Sequence, residues 1–191
     1  MYYWRKIILD QERILVERAK NDKEAFAELY DKYCSQILGY VIKRTANIEV
    51  AQDVTSQVFF KAYKNIGQFQ WRGVPFSSWL YKIASNEITN HFRERKRRRQ
   101  YLENNYDSEV TPNPSPESEL AQAQEDLQKY EEFLSVHENI SKLSFKYQEV
   151  ITLRYFEHKQ LKDIGVILGK NEGTVKSLLY RGLKKLRILM E

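Results

Sequence analysis

The sequence has little of what stabilises small secreted domains or crosses membranes. Because Cys34 is its one cysteine, no intrachain disulfide and no thiolate metal cluster can form. The position of Cys34 on the inward side of a predicted helix favours a small core residue over the alternative, a redox sensor. No apolar run approaches the roughly 18 residues of a membrane span, and the apolar stretch at the start is too short for a secretory signal. We therefore expect a soluble, cytoplasmic protein without membrane insertion.

Catalytic constellations are missing as well. The three histidines are dispersed, there is no phosphate-binding glycine loop, and no nucleophile is paired with a base. A nuclease or nucleotidyl transferase would need clustered carboxylates for Mg²⁺, whereas the acidic residues here lie in the central segment or singly along helices. We therefore expect no enzymatic activity, no metal and no cofactor.

Glycine and proline are scarce, with seven and four copies in 191 residues, which favours an all-α fold. Three of the prolines alternate with other residues in the acidic stretch TPNPSPES, where neither helix nor strand can form. We predict a flexible or extended linker over residues 100–122, between domains 1–99 and 123–191, with a helix resuming near Leu120. The alternative, a long surface loop inside one domain, is disfavoured by its length and polarity.

The net charge of +5 is less informative than its distribution. Residues 91–99 carry six Arg or Lys against Glu94, and the segment from His158 to the end carries eight against three acids. Between them, residues 100–128 contain seven acids and no Lys or Arg. This order indicates two polyanion-binding segments separated by a spacer that repels DNA.

The segment 160–187 predicts two short amphipathic helices joined by a tight turn at 170–173. Gly165 would let a second helix cross closely, and Gly169 can take the positive φ that ends a helix. The residues predicted to be buried are Leu161, Ile164, Ile167 and Leu168 in the first helix, and Val175, Leu179, Gly182, Leu183 and Leu186 in the second.

The outward face of that second helix is basic, which is typical of a helix-turn-helix whose second helix enters the major groove. The alternative is an ordinary αα-hairpin with a solvated basic face. The exposed residues on this face are Lys176, Ser177, Tyr180, Arg181, Lys184 and Lys185.

The N-terminal half reads as consecutive helices. Asn21 followed by Glu24 predicts a capping box, and Asn47 predicts the cap of a helix with a core stripe from Val50 to Ile66. The opposite face of that helix carries a large aromatic residue, Phe60, among polar ones. It is either a protein-binding surface or a harmless solvated face.

A third helix is predicted from Phe76 or Ser77 through the basic run, with Ser77 or Ser78 as its cap. Tyr81, Ser85, Asn86 and Asn90 fall on its polar side, and Phe69 and Trp71 precede it. Rings that stack on unpaired bases, amides that read base edges and arginines that bind phosphates are the ingredients of single-strand recognition.

These segments together resemble the extracytoplasmic-function (ECF) group of bacterial RNA polymerase sigma factors. AFAELYDKY and EVAQDVTSQVFFKAYKNIGQF resemble parts of their second region, and PFSSWLYKIASNEITNHFRERKRR resembles the segment that separates strands and reads the minus-10 element. Residues 143–187 resemble the fourth region, which reads the minus-35 element. The resemblance covers nearly everything except the first dozen residues and the linker.

The resemblance implies a transcription initiation factor that binds core RNA polymerase, duplex minus-35 DNA and single-stranded minus-10 DNA, with an anti-sigma factor as a further partner. An ordinary helix-turn-helix regulator with a helical partner-binding domain is the alternative. The residues implied for polymerase binding are Asp53, Gln57, Phe60 and Lys61. Those implied for the minus-10 element are Phe69, Trp71, Arg72, Asn86, Asn90, Arg93, Arg95, Lys96, Arg97 and Arg98. Those implied for the minus-35 element are Glu172, Gly173, Thr174, Lys176, Ser177, Tyr180, Arg181 and Lys184.

Overall fold

The computed structural model describes residues 2–71, 74–105 and 137–190, with backbone alone for residues 2–9 and 102–105. Every regular element in these ranges is helical, which confirms the predicted all-α class. The proline-containing stretch and the helix predicted to resume near Leu120 lie outside the described residues. So does Arg72.

The N-terminal unit consists of α1 (Tyr2–Ala19), α2 (Lys23–Thr45), α3 (Ile48–Asn65), a 3₁₀ turn (Ile66–Gln68) and α4 (Phe76–Asn105). The α4 helix therefore continues through residues 100–105, which we had predicted as the start of the linker. It also begins at Phe76, so the two serines predicted as caps lie inside its first turn.

Local capping explains where α2 and α3 begin. Asn47 caps α3 as predicted, because its side-chain oxygen accepts a hydrogen bond from the Val50 amide at 2.8 Å. The cap of α2 is Asp22, which accepts from the Glu24 amide at 2.9 Å, so the predicted cap at Asn21 was wrong by one residue.

The core of the N-terminal unit lies where α2 packs against α1, α3 and α4. Leu29, Ile37, Val58, Leu80 and Ile88 are fully buried there. Along α3 the predicted stripe is buried from Ala51 onward, whereas Val50 is only half-buried. Full burial of side chains of this size contributes about 1.5–3 kcal/mol each to folding.

The C-terminal unit contains α5 (described for residues 137–141), α6 (Phe145–Ile151), a π-helical turn (Thr152–Phe156), α7 (Leu161–Leu168) and α8 (Glu172–Met190). The α8 helix packs on α6 and α7. Gly182 allows the crossing over α6, since a Cβ there would lie 3.2 Å from Tyr147 Cβ and from Ile151 Cδ1.

The helix-turn-helix is formed by α7 and α8. Gly169 ends α7 with a φ of 63°, as predicted. The close approach at Gly165 is made by the turn, not by a second helix, because a Cβ there would lie 2.6 Å from the Lys170 carbonyl oxygen. The turn is also shorter than predicted, since Asn171 caps α8 by accepting from the Thr174 amide at 2.7 Å.

The buried stripe of α8 is shifted toward its beginning. Val175, Leu179 and Gly182 are buried as predicted, and Leu178 joins them. Leu183, predicted to be buried, is 37% exposed, and Leu186, also predicted to be buried, is only partly so. The second half of α8 is therefore less buried than strict helical periodicity predicts.

The two units contact each other, with α4 against α7 and α2 against the π-helical turn. Glu157 joins them: its carboxylate lies 2.8 Å from Lys43 Nζ and accepts a hydrogen bond from the Tyr81 hydroxyl. Ser85 donates to Glu149 across the same boundary. Placing Tyr81 and Ser85 on an open polar side of α4 was therefore wrong, because the C-terminal unit buries both.

Candidate nucleic-acid and protein interfaces

The outer face of α3 presents Asp53, Gln57 and Phe60 on successive turns, and all three are exposed. Phe60 is 53% exposed, and Lys64 Nζ lies 4.5 Å from its ring centroid. Lys61 was predicted to belong with them, but its ammonium lies 2.6 Å from Glu87 Oε2 on α4. It therefore lies next to Phe60 on α3 and also reaches the boundary with α4.

The aromatic residues before α4 form a packed cluster. Phe69 is only 8% exposed, and its ring centroid lies 5.0 Å from Trp79 and 5.3 Å from Phe76. Trp71 makes an edge contact with Phe69 at 6.3 Å and is half-buried. Phe69 is thus held by its neighbours, while the two tryptophans keep part of their surface open.

A cavity of about 380 Å³ lies beside this cluster, between α3 and α4. Its volume falls in the range of roughly 300–1,000 Å³ typical of small-molecule sites. Aromatic side chains and hydrogen-bonding groups therefore line a space large enough for a small planar group. Its walls include Lys61, Gln68, Phe69, Trp79, Asn86 and Glu87.

Of these cavity residues, the sequence pattern had singled out Phe69 and Asn86 for DNA binding and Lys61 for polymerase binding. Trp79 and Glu87 were not among the residues implied for DNA binding. Lys61 and Glu87 are 26 residues apart, so their pairing follows from the packing of α3 on α4 and carries no local sequence signal. The adjacency of Glu87 to Asn86 was the only available clue.

The second half of α4 forms a basic surface. Asn86 and Asn90 are exposed one turn apart, followed by the exposed basic run toward the C-terminus. Clustered guanidinium groups on one helix attract phosphates through their summed field. The predicted residues in this run are Arg93, Arg95, Lys96, Arg97 and Arg98, all of them exposed.

The outer face of α8 brings together the residues predicted for duplex recognition. Tyr180 is 73% exposed, and Lys176 is paired with Glu172 at 3.2 Å one turn earlier. Gly173 and Thr174 lie in the first turn, where the helix dipole favours an anion, although the Thr174 amide is already bonded to the Asn171 side chain. Ser177, Arg181 and Lys184 complete the exposed face.

Burial between the two units perturbs several ionisable groups. Burial raises the pKa of Glu149, against the opposing effects of the Ser85 hydrogen bond and of Arg44. Burial also raises the pKa of Tyr40 to about 12 and lowers that of Lys159. The Arg44 guanidinium lies 4.5 Å from the Phe145 ring centroid and donates to Gln148 at 3.4 Å. This boundary is therefore polar and charged as well as apolar.

Two features are absent from the described ranges. No group of three or more His, Cys, Asp or Glu side chains there is placed to hold a metal ion. No helix in that part of the chain has the length and apolar character needed to cross a bilayer.

Two sequence families match the chain, and they correspond to the two units. Residues 29–98 match Sigma-70 region 2, and residues 133–186 match Sigma-70, region 4.

Several relatives are similar over most of the chain. The RNA polymerase sigma-H factor of Pseudomonas aeruginosa is 34% identical over 180 residues, covering 90% of this chain and 90% of its own length. The ECF RNA polymerase sigma factor SigW of Bacillus subtilis is 33% identical over 177 residues, with coverages of 88% and 90%. The ECF RNA polymerase sigma factor BldN of Streptomyces coelicolor is 29% identical over 92% of this chain, which spans 64% of that relative's length.

Two solved structures have a similar fold. CnrH in complex with the cytosolic domain of CnrY gives a TM-score of 0.66 at 19% identity, covering 94% of this chain and 96% of CnrH. The sigma factor RpoE in complex with the anti-sigma factor NepR, from Bartonella quintana, gives 0.63 at 23% identity, with coverages of 86% and 96%. At these identities the likeness concerns the fold alone.

Proposed function

Since the chain belongs to the ECF group of RNA polymerase sigma factors, and is thereby a transcription initiation factor, we propose which partner each of its surfaces binds. The α8 face reads minus-35 duplex, the cavity beside α4 captures an unpaired minus-10 base, and the α3 face binds core RNA polymerase. The observation that carries this proposal is the presence of two different candidate DNA surfaces, an exposed basic helix and a cavity with rings and amides. An ordinary helix-turn-helix regulator is disfavoured, because it would leave the match over residues 29–98 unexplained.

For the minus-10 element, a base removed from the stack enters the cavity and contacts the open parts of Trp79 and Phe69. The Asn86 amide hydrogen-bonds the edge of that base, and Asn90 contacts a neighbouring nucleotide. Arg93, Arg95, Lys96, Arg97 and Arg98 bind the phosphates that follow. Support comes from the convergence of Asn86 and the two rings on one cavity. Trp71 and Arg72 belong to the same loop and remain proposed contributors.

For the minus-35 element, the first half of α8 enters the major groove. Arg181 and Lys176 reach base edges or phosphates, and Ser177, Tyr180 and Lys184 flank them. Glu172, Gly173 and Thr174 lie at the helix start, where the helix dipole favours the backbone phosphates; the Thr174 amide is bonded to the Asn171 cap, so Glu172 and Gly173 supply the open amides. The exposure of this face, with its apolar side buried on α6 and α7, supports the assignment.

For the polymerase, Asp53, Gln57 and Phe60 form the docking surface, with the exposed Phe60 ring as its apolar anchor. Lys61 lies at the edge of this surface, where it also pairs with Glu87 on α4. By analogy with RpoE, which was solved with the anti-sigma factor NepR, an anti-sigma factor is a further partner. The chain would act in the cytoplasm and supply binding surfaces, with no catalytic activity of its own.

The proposed domains are residues 1–99 for region 2, a linker over 100–122 and residues 123–191 for region 4, with α4 continuing into the linker range. The minus-35 and minus-10 elements lie about 25 base pairs apart, which is roughly 85 Å of duplex at about 3.4 Å per base pair. Since α4 touches α7 here, binding both elements at once requires the Lys43–Glu157 and Tyr81–Glu157 contacts to separate. The 17 residues of the linker that follow α4, 106 to 122, could contribute about 55 Å to that distance when extended.

The proposal is tested by adding the purified chain to core RNA polymerase and sequencing the 5′ ends of transcripts made from fragmented genomic DNA. We expect initiation at a small set of sites that share two sequence elements at fixed spacing. Core polymerase alone is the control. The proposal fails if the chain leaves the distribution of start sites unchanged.

A further inference from the structure

The cavity beside α4 contains a carboxylate that the proposed reading of the minus-10 element does not use. Glu87 follows Asn86 directly, and both side chains line the cavity. The Glu87 side chain is only 14% exposed, and one of its oxygens, Oε2, lies 2.6 Å from Lys61 Nζ. Within the described residues Oε1 has no hydrogen-bond partner of its own, which leaves it available to an incoming group.

The ion pair with Lys61 allows the Glu87 carboxylate to lie in a cavity that receives nucleic acid. An unpaired carboxylate in a cavity that receives DNA would repel the phosphates, and its burial would be costly. With the ammonium beside it, the pair is close to neutral while the free oxygen keeps its accepting capacity. The same ion pair fixes the orientation of Glu87, because it bridges α3 and α4.

An ionised carboxylate only accepts hydrogen bonds, and this restricts which base edge it can satisfy. Cytosine, adenine and guanine each present an amino group on the Watson–Crick edge, whereas thymine presents two carbonyl oxygens around a single N–H. A carboxylate that accepts from the thymine N3–H lies beside the carbonyl oxygens that flank it, and these acceptors repel it, whereas an amino group at the end of the edge donates without being flanked on both sides. Carboxylates accordingly pair with amino groups such as cytosine N4 in base recognition.

We propose that Glu87, held by Lys61, is a specificity-determining residue of the cavity, and that it selects a base with a Watson–Crick amino group and rejects thymine. The inference rests on the proposed capture of an unpaired base and deepens it. Asn86, whose amide both donates and accepts, fits any base, so it would supply affinity while Glu87 supplies the choice.

The test uses the reconstituted holoenzyme and a pool of single-stranded oligonucleotides randomised over the minus-10 segment, with bound sequences counted before and after selection. In the wild type, one position discriminates against thymine by about tenfold, the size expected for one charge-assisted hydrogen bond. Glu87→Gln keeps the shape and adds a donor, so thymine becomes tolerated at that position while the other positions keep their preferences. The control is Glu94→Gln, an exposed acid on the same helix outside the cavity, which should leave every preference unchanged.

A second measurement separates recognition from mere folding. The amino group of the selected base is replaced by hydrogen in a synthetic oligonucleotide, which should weaken binding to the wild type about tenfold and to Glu87→Gln much less. Equal losses in the two proteins, or identical position preferences in them, would overturn the role of Glu87. If the wild-type holoenzyme binds no minus-10 single strand more tightly than core polymerase does, the proposed function itself fails, and the inference fails with it.

Discussion

The helices α4 and α8 are both long, basic and proposed to bind DNA, yet their surroundings differ. The α8 helix buries one stripe against α6 and α7 and leaves a single continuous face open. The α4 helix meets three environments: the core at Leu80 and Ile88, the C-terminal unit at Tyr81 and Ser85, and the cavity at Asn86 and Glu87. A continuous face suits a rigid duplex, whereas a helix that lines a cavity suits one base removed from its stack.

The largest expected effect is the difference in stability lost when a leucine is removed from the core side of α4 and from the exposed end of α8. Leu80→Ala should lower the free energy of unfolding by about 2–5 kcal/mol, because its side chain is fully buried and leaves a cavity. Leu183→Ala, the matched control on α8, should cost less than about 1 kcal/mol, because Leu183 is 37% exposed. Denaturant titration followed by circular dichroism measures both. Equal losses would mean that the second half of α8 is as well packed as α4.

The α3 face should be independent of both DNA-binding helices. Asp53→Lys combined with Phe60→Ala should weaken binding to core polymerase by about 2 kcal/mol or more, the loss expected when an aromatic anchor is removed. The helical circular dichroism should not change, because both side chains are exposed. Tyr63→Ala, at a 42% exposed aromatic residue on the same helix, is the control. An unchanged polymerase affinity of the double variant would remove α3 from the interface.

Base reading by α8 should depend on a small number of side chains. Arg181→Ala should cost about 1–3 kcal/mol in binding to minus-35 duplex if the guanidinium reaches a base edge, and less if it meets only phosphate. Lys185→Ala, an exposed basic residue outside the predicted reading set, should cost less and should act equally on all sequences. Binding measured on matched and scrambled duplexes distinguishes the two cases. A uniform loss for Arg181→Ala would assign it to the phosphates.

The same contrast explains which features the sequence could predict. The Asn47 cap, the αL position of Gly169 and most of the buried stripe of α8 follow from residues within four positions of each other, so periodicity and capping rules find them. The burial of Tyr81 and Ser85 depends on Glu157 and Glu149, more than 60 residues away. The Lys61–Glu87 pair likewise arises from helix packing. The sequence therefore predicted some of the residues that line the cavity, such as Asn86, but not the ion pair that closes one side of it.

The smallest effect concerns the boundary between the units. Because burial raises the pKa of Glu149, its ionisation opposes the packed form at neutral pH. Glu149→Gln should therefore raise the thermal midpoint at pH 7. The difference in thermal midpoint between Glu149→Gln and the wild type should become smaller as the pH falls through the raised pKa toward the ordinary value of about 4.3. At that pH the wild-type carboxyl is protonated, so it is as uncharged as the glutamine amide.

Glu138→Gln serves as the control for that measurement, because Glu138 is exposed and the nearby Lys142 lowers its pKa. It should not raise the midpoint at pH 7. A gain from Glu149→Gln that grows on acidification would contradict the assigned cause.

We expect α4 to capture an unpaired base, whereas α8 reads duplex. This difference is tested most directly by transcription with Asn86→Ala on two templates, an intact promoter and the same promoter pre-melted at the minus-10 element. We expect Asn86→Ala to bind minus-35 duplex like the wild type but to transcribe poorly from the intact promoter. Pre-melting should rescue it only in part, because capture of the unpaired base is still lost. Normal transcription from the intact promoter would contradict the account and leave Asn86 as an ordinary solvated amide.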